Sequence, residues 1–271
     1  MSRNMSFREA YGLLDRPEIL QFVFYPRPDS SQAPPGATDH AIAVDDGAQI
    51  GCRFYTHAPS SPSILFFHGN GEVTSDYDTI APLYHQLGIN LFVADYRGYG
   101  SSSGTPSFTT MVGDTHHIFP TFLDILNQSH FTGDVFVMGR SLGCISAIEL
   151  ASVYPEHIKG LIIESGFASI IRLLTHLGLF TEFLQLHNTA FPNAVKMRSV
   201  TVPTLILHGE HDNLIPTVEA HDLYNNATAS QKRLVIIDGA NHNDIMLVGA
   251  ERYFQEIKEF IFGDSAPAAS R

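Results

Sequence analysis

The sequence predicts an α/β protein with a mostly parallel central sheet of about eight strands, flanked by helices. Three observations carry that expectation. Short runs rich in β-branched and aromatic residues recur along the chain. From residue 63 onward these runs are nearly continuous in apolar character, as strands covered on both faces must be. The segments between them are long enough to hold the crossover helices that parallel neighbours require.

The first two runs, 41–44 and 51–56, are joined by Asp45-Asp46-Gly47 and predict an antiparallel pair. Six more follow at 63–67, 90–95, 134–138, 160–164, 204–208 and 233–237. Helical patterns fall between and after them, at 74–86, 109–127, 142–153, 217–224 and 245–262. The order is β-β and then repeated βαβ, which defines an open sheet. The stretch 29–39 (DSSQAPPGATD) reads as a loop and 263–271 (GDSAPAASR) as a flexible tail. Neither marks a boundary, so a single domain over 1–271 is expected.

Composition narrows the class of function. Apolar residues make up 44% and charged residues 16%, a balance that buries a core and is unlike a disordered chain. A net charge of −12 repels nucleic acid and anionic membrane, so no nucleic-acid partner is expected and the charge serves solubility. Cys52 and Cys144 cannot build a disulfide framework. Charges at Arg8, Glu9, Asp15, Arg16 and Glu18 interrupt the N-terminal region before a signal peptide can form. No stretch reaches the roughly 18 apolar residues of a membrane span. A cytoplasmic protein without stable membrane insertion is expected. Among the 14 histidines, His116-His117 and His208 with His211 lack ligand spacing to a third partner, so neither a metal nor a cofactor is expected.

The segment Gly139-Arg140-Ser141-Leu142-Gly143 carries the first chemical signal. It follows the apolar run DVFVM directly and opens the helical pattern LGCISAIELASVY. Turning from strand to helix at one residue strains the serine backbone, and glycines two before and two after it remove side chains that would collide. The hydroxyl is thereby held at the carboxyl edge of the sheet, before a helix N-terminus that favours developing negative charge.

A serine nucleophile needs a base, and the base needs an orienting acid. Asp212 follows the run TLILH, and His242 follows RLVIID just before the last helical pattern. Both therefore lie at strand ends on the edge that holds Ser141, in the order acid then histidine. Glu164, after GLIIE, is the competing acid; Glu210 and Asp244 read as supporting loop residues, and His211 as a surface histidine. The run SILFF ends in His68-Gly69-Asn70-Gly71-Glu72, the position that supplies one oxyanion donor. The Asn70 N–H is expected in that role, Gly71 is next in line, and the Leu142 N–H supplies the second donor. Two such donors lower the barrier by about 3 kcal/mol each. His68 reads as a structural histidine holding this loop. Arg97, in Asp95-Tyr96-Arg97-Gly98-Tyr99-Gly100, reads as a loop organiser with a substrate carboxylate as the alternative partner.

Taken together, HGNG, DYRGYGSS, GRSLG, HGEHDNLIP and ANHND, in this order, resemble the α/β-hydrolase superfamily. They resemble more narrowly its small branch of protein-depalmitoylase-like and monoacylglycerol-lipase-like hydrolases, over about residues 22–262. The resemblance implies the α/β-hydrolase fold and a cofactor-free serine hydrolase with Ser141, Asp212 and His242 as catalytic residues. Asn241 departs from the glycine that usually precedes the histidine.

Between GLIIE and TLILH lies a connection of about forty residues, longer than a simple αβ link. A short helical cap is expected at about 166–198, and its stretch 170–186 is apolar along one helical face. Such a face either packs on the sheet or lines an acyl pocket. On the second reading Leu174, Leu177 and Phe180, with Gly71, contact substrate. The expected substrate is a small-molecule ester or thioester with an apolar acyl group, cleaved through an acyl-enzyme. The competing readings are an aminopeptidase or amidase with the same triad, for which Glu72 would hold the substrate amine, and a non-catalytic ligand-binding module.

Overall fold

In the computed structural model, which describes residues 11–179 and 193–263, the chain enters the sheet through β1 (Ala37–Ala43) and β2 (Gln49–Tyr55). They pair antiparallel, and the turn between them takes Asp46 and Gly47 to positive φ. Six strands follow: β3 (Ser63–Phe67), β4 (Asn90–Ala94), β5 (Val135–Arg140), β6 (Gly160–Glu164), β7 (Thr204–Gly209) and β8 (Lys232–Ile237). The sheet order is β1-β2-β4-β3-β5-β6-β7-β8, and β2 alone runs against the rest. This is the α/β-hydrolase architecture that the sequence predicts. Every residue of β3, β4, β6 and β7 is buried, whereas the edge strands β1 and β8 keep exposed and half-buried positions, so the unbroken apolar runs mark the centre.

The two-residue period of each strand divides the core. Leu65 and Phe67 of β3 face one layer; Ile64 and Phe66 face the other. The first layer holds α3 (Phe108–Gln128), α4 (Cys144–Val153) and α7 (Thr217–Asn226). The second holds α2 (Ala81–Gln86), α8 (Ile245–Val248) and α9 (Ala250–Phe262). Ser107 caps α3 through a reciprocal bond with Thr110, and Asp15 accepts from the Phe108 and Thr109 amides.

Three helical expectations are adjusted. The pattern at 74–86 divides into a 3₁₀ turn (Thr74–Asp78) and α2, because Pro82 suits only a helix's first turn. The pattern at 245–262 breaks at Gly249, where a Cβ would lie 2.1 Å from Ile237 Cγ2. The apolar stretch beginning at 170 forms α5 (Ile170–His176), which ends at Leu177 before Gly178 at φ 94°. The cap segment 166–198 continues as α6 (Asn193–Met197), but Phe180 and the rest of 180–192 lie outside the described residues, as does the tail from 264. The sequence did not announce α1 (Pro17–Val23), a short helix with proline in its first turn. It brings Ile19 into the first layer beside Tyr11 and Leu14. Among the described residues no helix is long and apolar enough to cross a membrane.

Candidate active site

Ser141 stands where β5 ends and a 3₁₀ turn (Ser141–Gly143) leads into α4. Its φ is 51°, the left-handed region that costs a residue with a Cβ. The neighbouring glycines permit the turn. A Cβ at Gly139 would lie 2.4 Å from Gly143 O, and one at Gly143 would lie 2.1 Å from Phe67 O. Leu142 sits in the first turn, where N–H groups have no intrahelical acceptor.

His242 reaches Ser141 from the loop after β8, with Nε2 2.9 Å from Ser141 Oγ. Its Nδ1 lies 2.7 Å from Asp212 Oδ2, from the loop after β7. All three residues are buried. An ionised carboxylate only accepts, so Nδ1 carries the proton and Nε2 is free to accept from the serine hydroxyl. The other Asp212 oxygen accepts from the Leu214 and Ile215 amides at 3.0 and 2.7 Å, which fixes the carboxylate. His208 lies beneath, donating from Nε2 to Ile215 O at 2.7 Å; burial holds its pKa below the usual value. Asn241 does not need the freedom of glycine, since Gly239 supplies the positive φ of this loop and the Asn241 amide donates to Asp244.

Glu164, the competing acid, and Glu72, the candidate for a substrate amine, are otherwise engaged. Glu164 accepts from Arg140 Nε at 3.0 Å and from Tyr253 Oη at 2.7 Å. Glu72 accepts from Arg140 Nη1, from the Gly69 amide at 2.9 Å and from Tyr77 Oη at 2.7 Å. Burial raises the Glu164 pKa, and the adjacent guanidinium works against that rise. Arg140 Nη2 also donates to His242 O and Asn243 Oδ1, each at 3.0 Å. His68 holds its own loop: its ring lies between Gly69 O at 2.7 Å and Asp95 Oδ1 at 3.1 Å. Arg97 is paired bidentately with Asp114 on α3, at 2.8 Å for both bonds, and so braces loops rather than facing Ser141.

Residues 58–195 and 168–246 match the family described as serine aminopeptidase, S33. The chain is 30% identical to the α/β hydrolase domain-containing protein 17B of Xenopus laevis over 225 residues, 79% of this chain and 72% of that one. The chain belongs to the α/β-hydrolases. An uncharacterized protein of Mycobacterium tuberculosis is 26% identical over 87% of this chain and 83% of its own. Two solved structures share the fold. An esterase of Pyrococcus furiosus superposes with a TM-score of 0.71 at 18% identity, covering 88% of this chain and 98% of that one. A monoacylglycerol lipase of Paleococcus ferrophilus gives 0.58 at 18%, covering 74% and 95%.

In this α/β-hydrolase a cavity of about 470 Å³ opens at Ser141. Leu173, Leu174 and Leu177 of the α5 region form one wall, and Phe22, Val23 and Tyr25 form another. Asn70, Leu142 and His242 also line it, so the residues named for oxyanion binding share one space with Leu174 and Leu177. Gly71 does not line it: at φ 77° the chain turns away there, and its carbonyl accepts from Arg27 Nε at 3.2 Å. The N-terminal wall is not among the sequence expectations. Pro17 after Asp15-Arg16 is a helix-start signal, but the side chain that seats the wall is Asn70, which accepts from the Tyr25 amide at 3.1 Å and donates to Val23 O. Arg140, between a glycine and the serine, carries no such signal.

Proposed function

We propose that the chain is a serine hydrolase that cleaves carboxylic esters or thioesters of an apolar acyl group through an acyl-enzyme. The observation that carries this reading is the linked pair of hydrogen bonds, Ser141 to His242 and His242 to Asp212, at the floor of a cavity walled by leucine, phenylalanine and valine. Ser141 Oγ attacks the acyl carbon while His242 Nε2 takes its proton. The Asn70 and Leu142 N–H groups receive the oxyanion, and the helix N-terminus adds to its stabilisation. Collapse expels the alcohol or thiol, which takes the proton back from His242. Water, deprotonated by the same histidine, then attacks the acyl-serine and releases the acid.

The family's description raises an aminopeptidase as the second reading. An exopeptidase needs a carboxylate facing the substrate amine, and the residue suited to that, Glu72, spends its oxygens on Arg140, Gly69 and Tyr77. Among the described residues that line the cavity there is no aspartate or glutamate. Both facts favour an acyl pocket.

The test is initial rates on p-nitrophenyl esters from acetate to palmitate, beside matched acyl-thioesters and an aminoacyl anilide. Turnover of esters or thioesters with an optimum in acyl length is the expected result; turnover of the anilide alone would replace it with the peptidase reading. Ser141→Ala should lose activity by about 10⁵-fold and all labelling by a fluorophosphonate probe.

A further inference from the structure

We propose that Arg140 is a positioning residue for this hydrolase, its single guanidinium setting the nucleophile turn, the histidine loop and the oxyanion loop in register with one another. The inference rests on the serine hydrolase reading above. Arg140 is adjacent to Ser141 in the chain, so whatever fixes its side chain is referred directly to the nucleophile. The guanidinium has five N–H donors in a rigid plane, and here that fork is distributed over three separate strand ends. Nε donates to Glu164 at the end of β6 at 3.0 Å, and Nη1 to Glu72 in the loop after β3. Nη2 donates at 3.0 Å to both the His242 carbonyl and the Asn243 side chain, in the loop after β8.

Each contact reaches a group with a consequence. The His242 carbonyl belongs to the residue whose ring meets Ser141 Oγ at 2.9 Å, so a displaced carbonyl carries the ring with it. Glu72 in turn accepts from the amide of Gly69, the residue before Asn70, and so ties the fork to the proposed oxyanion donor. The space is reserved for this purpose. A Cβ at Gly69 would lie 2.5 Å from Arg140 Nη1, which makes glycine there a condition of the guanidinium's seat. Arg140 itself is buried, 6% exposed, and lines the same cavity as Ser141 and His242. A buried cation flanked by two carboxylates could be explained by charge satisfaction alone. The His242 carbonyl and the Asn243 amide oxygen are neutral, however, and satisfying charge does not call for them.

That difference supplies the experiment. Arg140→Lys keeps the positive charge for Glu164 and Glu72 but cannot span three loops. Thermal midpoint, kcat and KM on one p-nitrophenyl ester, and the rate of fluorophosphonate labelling are measured for wild type and variant. The expected result is a thermal midpoint near that of wild type with KM little changed. With it, kcat and labelling rate should each fall about 30-fold or more, the scale of a sub-ångström misplacement. Wild-type kcat and labelling in the lysine variant would overturn the proposal. So would a lowered thermal midpoint with a loss of activity that vanishes when rates are normalised to folded protein. Should Arg140→Lys fail to fold, Asn243→Ala decides, because it removes one exposed acceptor and leaves both carboxylates paired. A kcat loss of about threefold at unchanged KM and thermal midpoint supports the role, and an unchanged kcat overturns it. A wild type that neither hydrolyses esters nor labels at Ser141 would instead defeat the serine hydrolase reading, and this one with it.

Discussion

A serine at φ 51° is held there by what surrounds it, and two glycines account for most of the accommodation. Gly143 faces Phe67 O so closely that even a methyl group would need the backbone of β3 to move. Gly143→Ala should therefore destabilise the fold by about 3 kcal/mol, read as a lower urea midpoint, with labelling of Ser141 lost even in the folded fraction. Asp212 acts on a different quantity. Its Oδ2 selects the histidine tautomer, while its Oδ1 is held by the Leu214 and Ile215 amides. Asp212→Asn keeps the shape but offers an N–H where an acceptor is needed, and kcat should fall by about 10³–10⁴-fold in a protein of nearly unchanged stability. Ser141, Asp212 and His242 were legible in the sequence because each is a reactive type placed after an apolar strand. Arg140 was not. The residue between glycine and serine in such a turn can be of many kinds, and the partners that give it meaning are 68, 24 and 102 positions away in the chain.

At the scale of elements, the cavity is a gap between two short helices that the sheet does not itself specify. The stripe Ile170, Leu173, Leu174, Leu177 was readable as one face of a helix, and its last member lines the cavity while remaining 38% exposed. A bulkier side chain there narrows the space without touching the core. Leu177→Trp should raise KM for the longest p-nitrophenyl esters about tenfold and leave acetate hydrolysis unchanged, moving the optimum to shorter chains. An unchanged chain-length profile would mean that acyl groups lie elsewhere. The opposite wall was illegible for a physical reason. Seven residues of α1 give too few turns for a periodic signal, and the segment's place is set by contacts with Asn70, Gly71 and Tyr99, all far from it in sequence. The strands behaved differently. Their apolar runs announce both their positions and their burial, since a central parallel strand has no solvent face to alternate with.

For the whole molecule, acid is the condition that tests how the buried histidines are held. Burial is the largest influence on His40, His85 and His208, and it keeps all three pKa values below the usual 6.5. For His68 burial also pulls down, but the Asp95 hydrogen bond and charge, with Gly69 O and Glu72, bring it above 6.5. A histidine with a depressed folded pKa contributes stability that is present above 6.5 and is lost as pH falls through the folded value. His68 contributes stability that is full below 6.5 and is lost as pH rises through its folded value. The three depressed histidines take up protons on unfolding and should make the urea midpoint decline from pH 7 to pH 5, while His68, Glu164 and Asp114, whose pKa values are raised, act in the opposite sense. Each proton taken up on unfolding contributes at most about 1.4 kcal/mol per pH unit, less for the partly exposed His40 and His85, which solvent screens. Glu149 extends the decline. Burial would raise its pKa, yet the His116 bond and the Lys196 charge bring it below 4.5, so its contribution is present above 4.5 and is lost as pH falls further. His85 offers the cleanest check, because its Nε2 is buried and has no hydrogen-bond partner among the described residues. His85→Leu removes the proton site and the unpaired nitrogen, together with the ring's bond to the Tyr55 backbone. Its midpoint should fall less steeply than that of wild type between pH 7 and pH 5, and at pH 5 it should be the more stable protein. Parallel midpoint curves for the two would show that the acid sensitivity resides in other groups.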